Sequence, residues 1–336
     1  MEYPLERQKE NKVYSRVRMD SSYIVITVVV LFVSAFFLGI YGYKDAMSDN
    51  IFRDKNLIKK NTDLPVIWLY YDNSDVNSRW WPDFGARSSR AINVPFLNLC
   101  YKSITEANHG AYRVEVISGL GDAALRLGGW SAMPQFLQNP LAPVGNAELN
   151  WLRAEFLSRF GGLWVSPSVI SLKPFPKLEK GQLTFFGTDR DETYAGKNGT
   201  AVPSFLVMGI AEPGDSRLEG WAAAARERIE SGSGGKQIRG DAKWDYLRFA
   251  VDSNVVVHSK AELSRKKNGK RIELEDLLAA GGDGELTFDL TEDAVYTPIP
   301  WDEIQRRSNF GWFLRMNEDQ ILDSDLAISE LFRVVN

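Results

Sequence analysis

The sequence predicts an α/β domain, and three observations carry that prediction. An apolar, aromatic run, Leu64-Pro65-Val66-Ile67-Trp68-Leu69-Tyr70-Tyr71, reads as a buried strand bounded by the turn formers Asp72-Asn73-Ser74-Asp75. A helical pattern follows over 94–107, with Phe96, Leu97, Leu99, Cys100 and Ile104 on one face, and then a strand, Tyr112 to Ile117, closed by Ser118-Gly119. Strand, helix and strand at this spacing make a βαβ unit and hence a parallel pairing. Strands and helices keep alternating beyond it without an internal repeat, so residues 63–336 are read as one domain.

The later elements follow from local chemistry. Residues 119–145 are rich in Gly and Pro and read as loop with a short helix. Ala147 to Phe160 is the strongest helix, with Leu149, Leu152, Phe156, Leu157 and Phe160 as its apolar stripe. Glu148 near its start and Arg159 near its end suit the helix dipole, and Gly161 stops it. Short buried strands are expected at Leu163–Val165, Leu183–Phe186 and Ser204–Ile210, and an Ala-rich helix at Ser216–Ile229. Ser231-Gly232-Ser233-Gly234-Gly235 reads as a flexible loop. Beyond it lie a helix over 242–249, a strand over 254–257, a basic run from Arg265 to Arg271, a Gly281-Gly282 turn and a closing helix from Asp319 to Val334.

Composition removes several kinds of chemistry. Of 336 residues, 40 are Lys or Arg and 44 are Asp or Glu, and this near balance offers nothing to a nucleic acid. One cysteine, Cys100, and two histidines, His109 and His258, exclude an intrachain disulfide and a Cys/His zinc site. Cys100 is expected to pack in the core. Chemistry is left to carboxylates, hydroxyls, backbone and the 10 Trp, 12 Tyr and 18 Phe.

The N-terminus departs from this average. Tyr23 to Tyr43 is 21 residues without charge or proline, long enough for a transmembrane helix, and tyrosines flank it. Lys44-Asp45-Ala46-Met47 after it does not resemble a signal-peptide cleavage site, so a retained anchor is expected. Residues 1–22 are then an N-terminal tail, 23–43 the anchor in the lipid bilayer and 44–62 a polar stalk. Five basic residues precede the span and five follow closely, which leaves orientation open between a lumenal or extracellular domain and one face of a viral or organellar membrane. Asn198-Gly199-Thr200 is a glycosylation acceptor if the domain is lumenal.

One passage is sharper than the rest. Asn150-Trp151-Leu152-Arg153 lies on the strongest helix, followed by Phe160-Gly161-Gly162-Leu163-Trp164-Val165-Ser166-Pro167-Ser168. This block resembles the capsular-polysaccharide-synthesis and glycan-capping glycosyltransferases with a DxD sugar-binding motif, the family 32-like type. In those, a helical Ser-Asp-x-x-Arg precedes Tyr-Gly-Gly-x-Trp-x-Asp-x-Thr or -Asp. Val66-Ile67-Trp68, Val94-Pro95 with Cys100-Tyr101-Lys102-Ser103, and Ser204-Phe205-Leu206-Val207-Met208 with Trp221 resemble further segments in the family's order. The resemblance spans residues 65–230 and implies a GT-A-like fold with a Rossmann-type mixed sheet. It also implies nucleotide-sugar binding around Trp68, Asn150, Arg153, Gly161, Gly162, Trp164, Ser166 and Ser168.

The departures bear on activity. The family's motif holds a divalent metal, Mn2+ or Mg2+, against the donor's diphosphate; here Ser166 and Ser168 stand at those positions and Asn150 at the helix aspartate. A neutral hydroxyl is a poor ligand for a hard cation. Asp189-Arg190-Asp191-Glu192 is a literal Asp-x-Asp after the Leu183–Gly187 strand, readable as a substitute metal site or a solvated loop. Trp301-Asp302-Glu303 is a second acidic candidate. Three functions therefore compete: a membrane-anchored glycosyltransferase acting on a nucleotide sugar and a glycan; a degenerate relative serving as a structural subunit among neighbouring proteins, such as a giant-virus minor capsid protein or part of an organellar complex; and a lipid- or carbohydrate-binding receptor. The missing carboxylates favour degeneracy, with no cofactor and no catalytic residue assigned.

Overall fold

The computed structural model describes residues 64–72, 95–140, 142, 144–188, 202–232, 249, 254–263, 265–268, 270–281, 288 and 290–335. The tail, the 23–43 span, the stalk, residues 73–75, the 233–235 part of the glycine loop and all but Phe249 of the 242–249 helix lie outside the described residues. Among the described residues no helix is long and apolar enough to cross a membrane.

In chain order the elements are β1 (Val66–Tyr71), α1 (Pro95–Ala107), β2 (Arg113–Ser118), α2 (Gly119–Leu127), α3 (Asn146–Phe160), β3 (Gly162–Val165), β4 (Val169–Ser171), β5 (Leu183–Phe186) and β6 (Val207–Ile210). They continue with α4 (Ser216–Gly232), β7 (Val255–His258), α5 (Leu274–Leu277), β8 (Tyr296–Pro298), α6 (Trp301–Arg306), α7 (Glu318–Leu322) and α8 (Ala327–Val335). Six strands form one sheet in the order β2-β1-β3-β6-β5-β7, while β4 and β8 pair in a small second sheet. The β1–β2, β1–β3 and β5–β7 pairs are parallel, and β6 runs against both β3 and β5. The domain is thus α/β with a mixed sheet in which parallel pairs predominate.

Side-chain alternation divides the core into two layers. Ile67, Leu69 and Tyr71 pack with α1, the small sheet and the C-terminal helices, while Trp68 and Tyr70 pack with α2, α3 and α4. Cys100 is fully buried on α1, as expected, and burial pushes its thiol well above the usual range. Helix α3 is wrapped on more than its predicted stripe. Phe156 meets Trp68 and Trp164 on the sheet, whereas Trp151 lies under the Arg226 guanidinium of α4, 5.3 Å from the ring centroid. Phe160, expected in the core, is 41% exposed at the last position, where it leans on Trp68 at 5.6 Å.

The short helix expected within residues 119–145 lies at 119–127: Leu120, Ala123, Ala124 and Leu127 are buried at helical spacing, and Gly128 at φ 99° closes the helix. Two expectations are corrected. The closing helix is two helices. Asn317 and Gln320 exchange side-chain bonds at the start of α7, and Ser324 Oγ donates to Ile321 O at 2.9 Å where the break falls. The 204–210 strand begins only at Val207, because Ser204 N–H goes instead to Gly187 O at 3.1 Å.

The sheet's far edge is fastened by one charged knot. Arg217 forks onto Asp215 with bonds of 3.0 and 2.5 Å, and reaches Asn254 O at 3.0 Å and Gly181 O at 3.1 Å, tying α4 to the segments leading into β7 and β5. Burial opposes the charge on Asp215, yet the Arg217 bonds, its charge and two backbone N–H groups outweigh it and hold the carboxyl below its ordinary 3.8. Asp276 is held down likewise: Lys266 and the Glu273 N–H outweigh the penalty of burial. A depressed carboxyl contributes stability that is complete above the unfolded pKa and is lost as pH falls through the folded one. The thermal midpoint should therefore be level above about pH 5 and fall below about pH 4. Arg217→Ala should shallow that acid limb, and an unchanged limb in the variant would dismiss the knot as its source.

Candidate functional site

The chain leaves β1 to form β2 on one side and returns to place β3 on the other. The carboxyl ends of β1 and β3 are therefore the topological switch point, where open α/β sheets leave a crevice for ligands. Ser166 follows β3 directly. Its N–H donates to Leu206 O at 2.7 Å, and its hydroxyl lies 3.3 Å from the Ser168 hydroxyl. The buried Ser168 is fixed from the other side, where its carbonyl accepts the Ile299 N–H at 2.8 Å. Ile299 follows β8, so the small β4–β8 sheet, which no sequence pattern signals, sets the position of Ser168.

Arg153 reaches the same region from α3. Its guanidinium lies 5.5 Å from the centre of the Phe205 ring, one residue from the carbonyl that holds Ser166. Its Nη1 donates to Asn150 Oδ1 at 2.9 Å, an i, i+3 bond along the helix, and both residues are buried. A neutral amide thus partners this buried guanidinium where the resembled family has a carboxylate.

The remaining resemblance-based residues gather elsewhere. Trp68 Nε1 donates to Gly161 O at 2.9 Å, and a Cβ on Gly162 would stand 2.4 Å from Val66 O. Trp68, Gly161 and Gly162 therefore meet at the amino end of β3, roughly 13 Å from Ser166 along four strand residues. There they fasten the α3-to-β3 corner against β1. Trp164 is buried midway, stacked at 6.5 Å on Tyr70. Asp189, Asp191 and Asn198 lie outside the described residues. Trp301 begins α6, three residues beyond Pro298 of β8, with its ring 5.2 Å from Phe96. Glu303 pairs at 3.6 Å with Arg307.

One residue that the motif reading passed over is Asp72. It follows Tyr71, the last residue of β1, as Ser166 follows Val165, the last of β3, and the two strands pair in parallel. Alternation puts it in phase with Trp68 and Tyr70, on the α3 side of the sheet. Its signal in the sequence is position: it is the first polar residue after the buried strand that opens the βαβ unit. Motif resemblance drew the reading to β3 instead.

Two hydroxyls stand at the exit of β3, and among the described residues no three His, Cys, Asp or Glu are placed to hold a metal ion. What the arrangement offers is hydrogen bonding: hydroxyls that donate and accept, a guanidinium that only donates and a carboxylate at the next strand end.

A scan against protein-family models finds no match, and a search of curated proteins finds none. Among solved structures, two of the glycosyltransferase GlyE from Streptococcus pneumoniae TIGR4, one in its apo form, are similar to this chain, each with a TM-score of 0.35, 10% identity and coverage of 76% of this chain. The chain spans 61% of the length of GlyE.

Proposed function

We propose that the chain is a membrane-anchored, glycosyltransferase-like protein of the capsular-polysaccharide-synthesis, family 32-like type, with a GT-A fold and an anchor at 23–43. In this reading the switch-point crevice holds a nucleotide sugar or a glycan by hydrogen bonds but has lost metal-assisted transfer. One observation carries it: the two positions leaving β3 present hydroxyls, 3.3 Å apart, where the resembled family has carboxylates. Glycosyl transfer from a nucleotide donor places charge on the departing diphosphate, and offsetting such charge is often the largest catalytic contribution. Serine supplies neither the charge nor the metal that would do so.

The test is a panel of nucleotide sugars, each with and without Mn2+ or Mg2+, read by the thermal midpoint of the full chain and by donor hydrolysis. The expected result is no metal-dependent shift and no turnover. A metal-dependent shift with one donor, abolished by Asp189→Ala or Asp72→Asn, would overturn the loss of metal chemistry.

A second reading, a structural subunit of a larger membrane or capsid assembly, is favoured by a separate observation. Leu125 is 79% exposed on α2, and the half-exposed Trp130 stands 4.0 Å from where a Cβ on Gly121 would lie, one turn before it. Apolar surface of this kind suits a neighbouring protein. Co-purification at fixed stoichiometry, lost on Leu125→Glu, would favour this reading.

A further inference from the structure

The basic run over 265–271, which the proposed function leaves unused, is folded as a hairpin. Arg265 and Arg271 form an antiparallel bridge, and Lys266 N–H donates to Lys270 O at 2.7 Å. Lys270 N–H donates to Asn268 Oδ1 at 3.0 Å in the turn. A second bridge, from Lys266 to the buried Phe288, and the buried Ile272 root the hairpin in the core. This pairing sets cation across from cation, which destabilises a strand pair. The chain as a whole carries a net charge of −4, so the cluster is not a sample of a generally basic surface. Nearby carboxylates offset it only in part. Asp276 takes Lys266 at 2.8 Å, Glu275 is engaged by Arg307, and Glu273 is exposed beside α5. Lys267 and Lys270 are exposed.

We infer that this hairpin docks the domain onto an anionic phospholipid surface. A nucleic-acid groove interleaves cations with stacking rings, and Arg265 to Arg271 contains no aromatic residue. Attraction to acidic headgroups needs only point charges on one element, each strengthening binding roughly five-fold. The proposed attachment through 23–43 supplies a bilayer, and the inference rests on that reading for its setting. Docking would hold the domain in one attitude to the bilayer and would screen the like-charge repulsion within the hairpin.

The test uses the full-length chain with phosphatidylcholine vesicles, with and without phosphatidylserine. A water-soluble acylating reagent reports the accessibility of each lysine by mass spectrometry, with the exposed Lys180 as reference. Phosphatidylserine should slow acylation of Lys267 and Lys270 at least five-fold, and high salt should reverse the protection. Arg265→Gln with Arg271→Gln should weaken phosphatidylserine-dependent docking roughly 25-fold, read as restored acylation of Lys267 and Lys270. Equal acylation on neutral and acidic vesicles overturns the inference, as does protection by an RNA oligonucleotide in place of vesicles. Flotation with neutral vesicles tests the anchor separately: a chain that floats only with phosphatidylserine, and only with the hairpin intact, keeps the docking and discards the anchor.

Discussion

Gly162→Ala should cost the domain a large part of its stability. The glycine opens β3 at φ +93°, and an added Cβ would lie 2.4 Å from Val66 O and 3.2 Å from Trp68 Nε1. Neither neighbour can withdraw easily. Val66 belongs to β1, and the Trp68 indole is fixed by its bond to Gly161 O. The substitution therefore separates two central strands as well as straining a backbone angle that alone costs about 1–3 kcal/mol. A total above roughly 4 kcal/mol is expected, against a typical stability of about 5–15 kcal/mol. Gly181→Ala is the control: φ is +73° there, but nothing lies within 4 Å of the added atom. Urea unfolding of both variants separates the causes, and equal losses would mean that strand contact contributes nothing.

Ser166→Asp combined with Ser168→Asp should convert the crevice to metal-dependent binding. With Asp72 directly after β1, the double variant would bring three carboxylates to the exits of adjacent strands, a donor set suited to Mn2+ or Mg2+ bridged to a diphosphate. Without metal the variant should be less stable than the parent, because Ser168 is only 7% exposed and a buried, unpaired carboxylate costs several kcal/mol. At about 2–4 °C per kcal/mol for a domain near this size, the thermal midpoint should fall by roughly 10 °C. Mn2+ with a nucleotide diphosphate should restore most of that loss and bind at least about ten-fold more tightly than to the parent. A variant that is destabilised and indifferent to metal would mean that the three strand exits do not converge on one point.

The parts of this fold that were legible in the sequence are those whose signals are local. The βαβ unit, the caps of α3 and the strand Leu183–Phe186 follow from apolar periodicity and from glycine at a helix end. The short helix expected within 119–145 is α2, where Leu120, Ala123, Ala124 and Leu127 keep a helical period despite Gly119 and Gly121. The β4–β8 pairing could not be read at all. Each strand has three residues, and Val169 meets Pro298 across 129 positions, so nothing short-range encodes the contact. The site shows the same division. Motif resemblance led to Ser166, Ser168 and Arg153, and the fold links them through Phe205 and Leu206. The same resemblance also gathered Trp68, Gly161 and Gly162, whose spacing in sequence reflects a corner between helix and strand.

The reversed direction of β6 changes how the crevice can be altered. In a parallel strand the residues nearest the crevice come after the strand, and altering them alters the way into the next helix. Because β6 runs against its neighbours, its beginning lies beside Ser166, and Ser204 to Leu206 enter from upstream. Changes at Ser204 to Leu206 therefore alter the crevice from the entry of a strand and leave the way into a helix untouched.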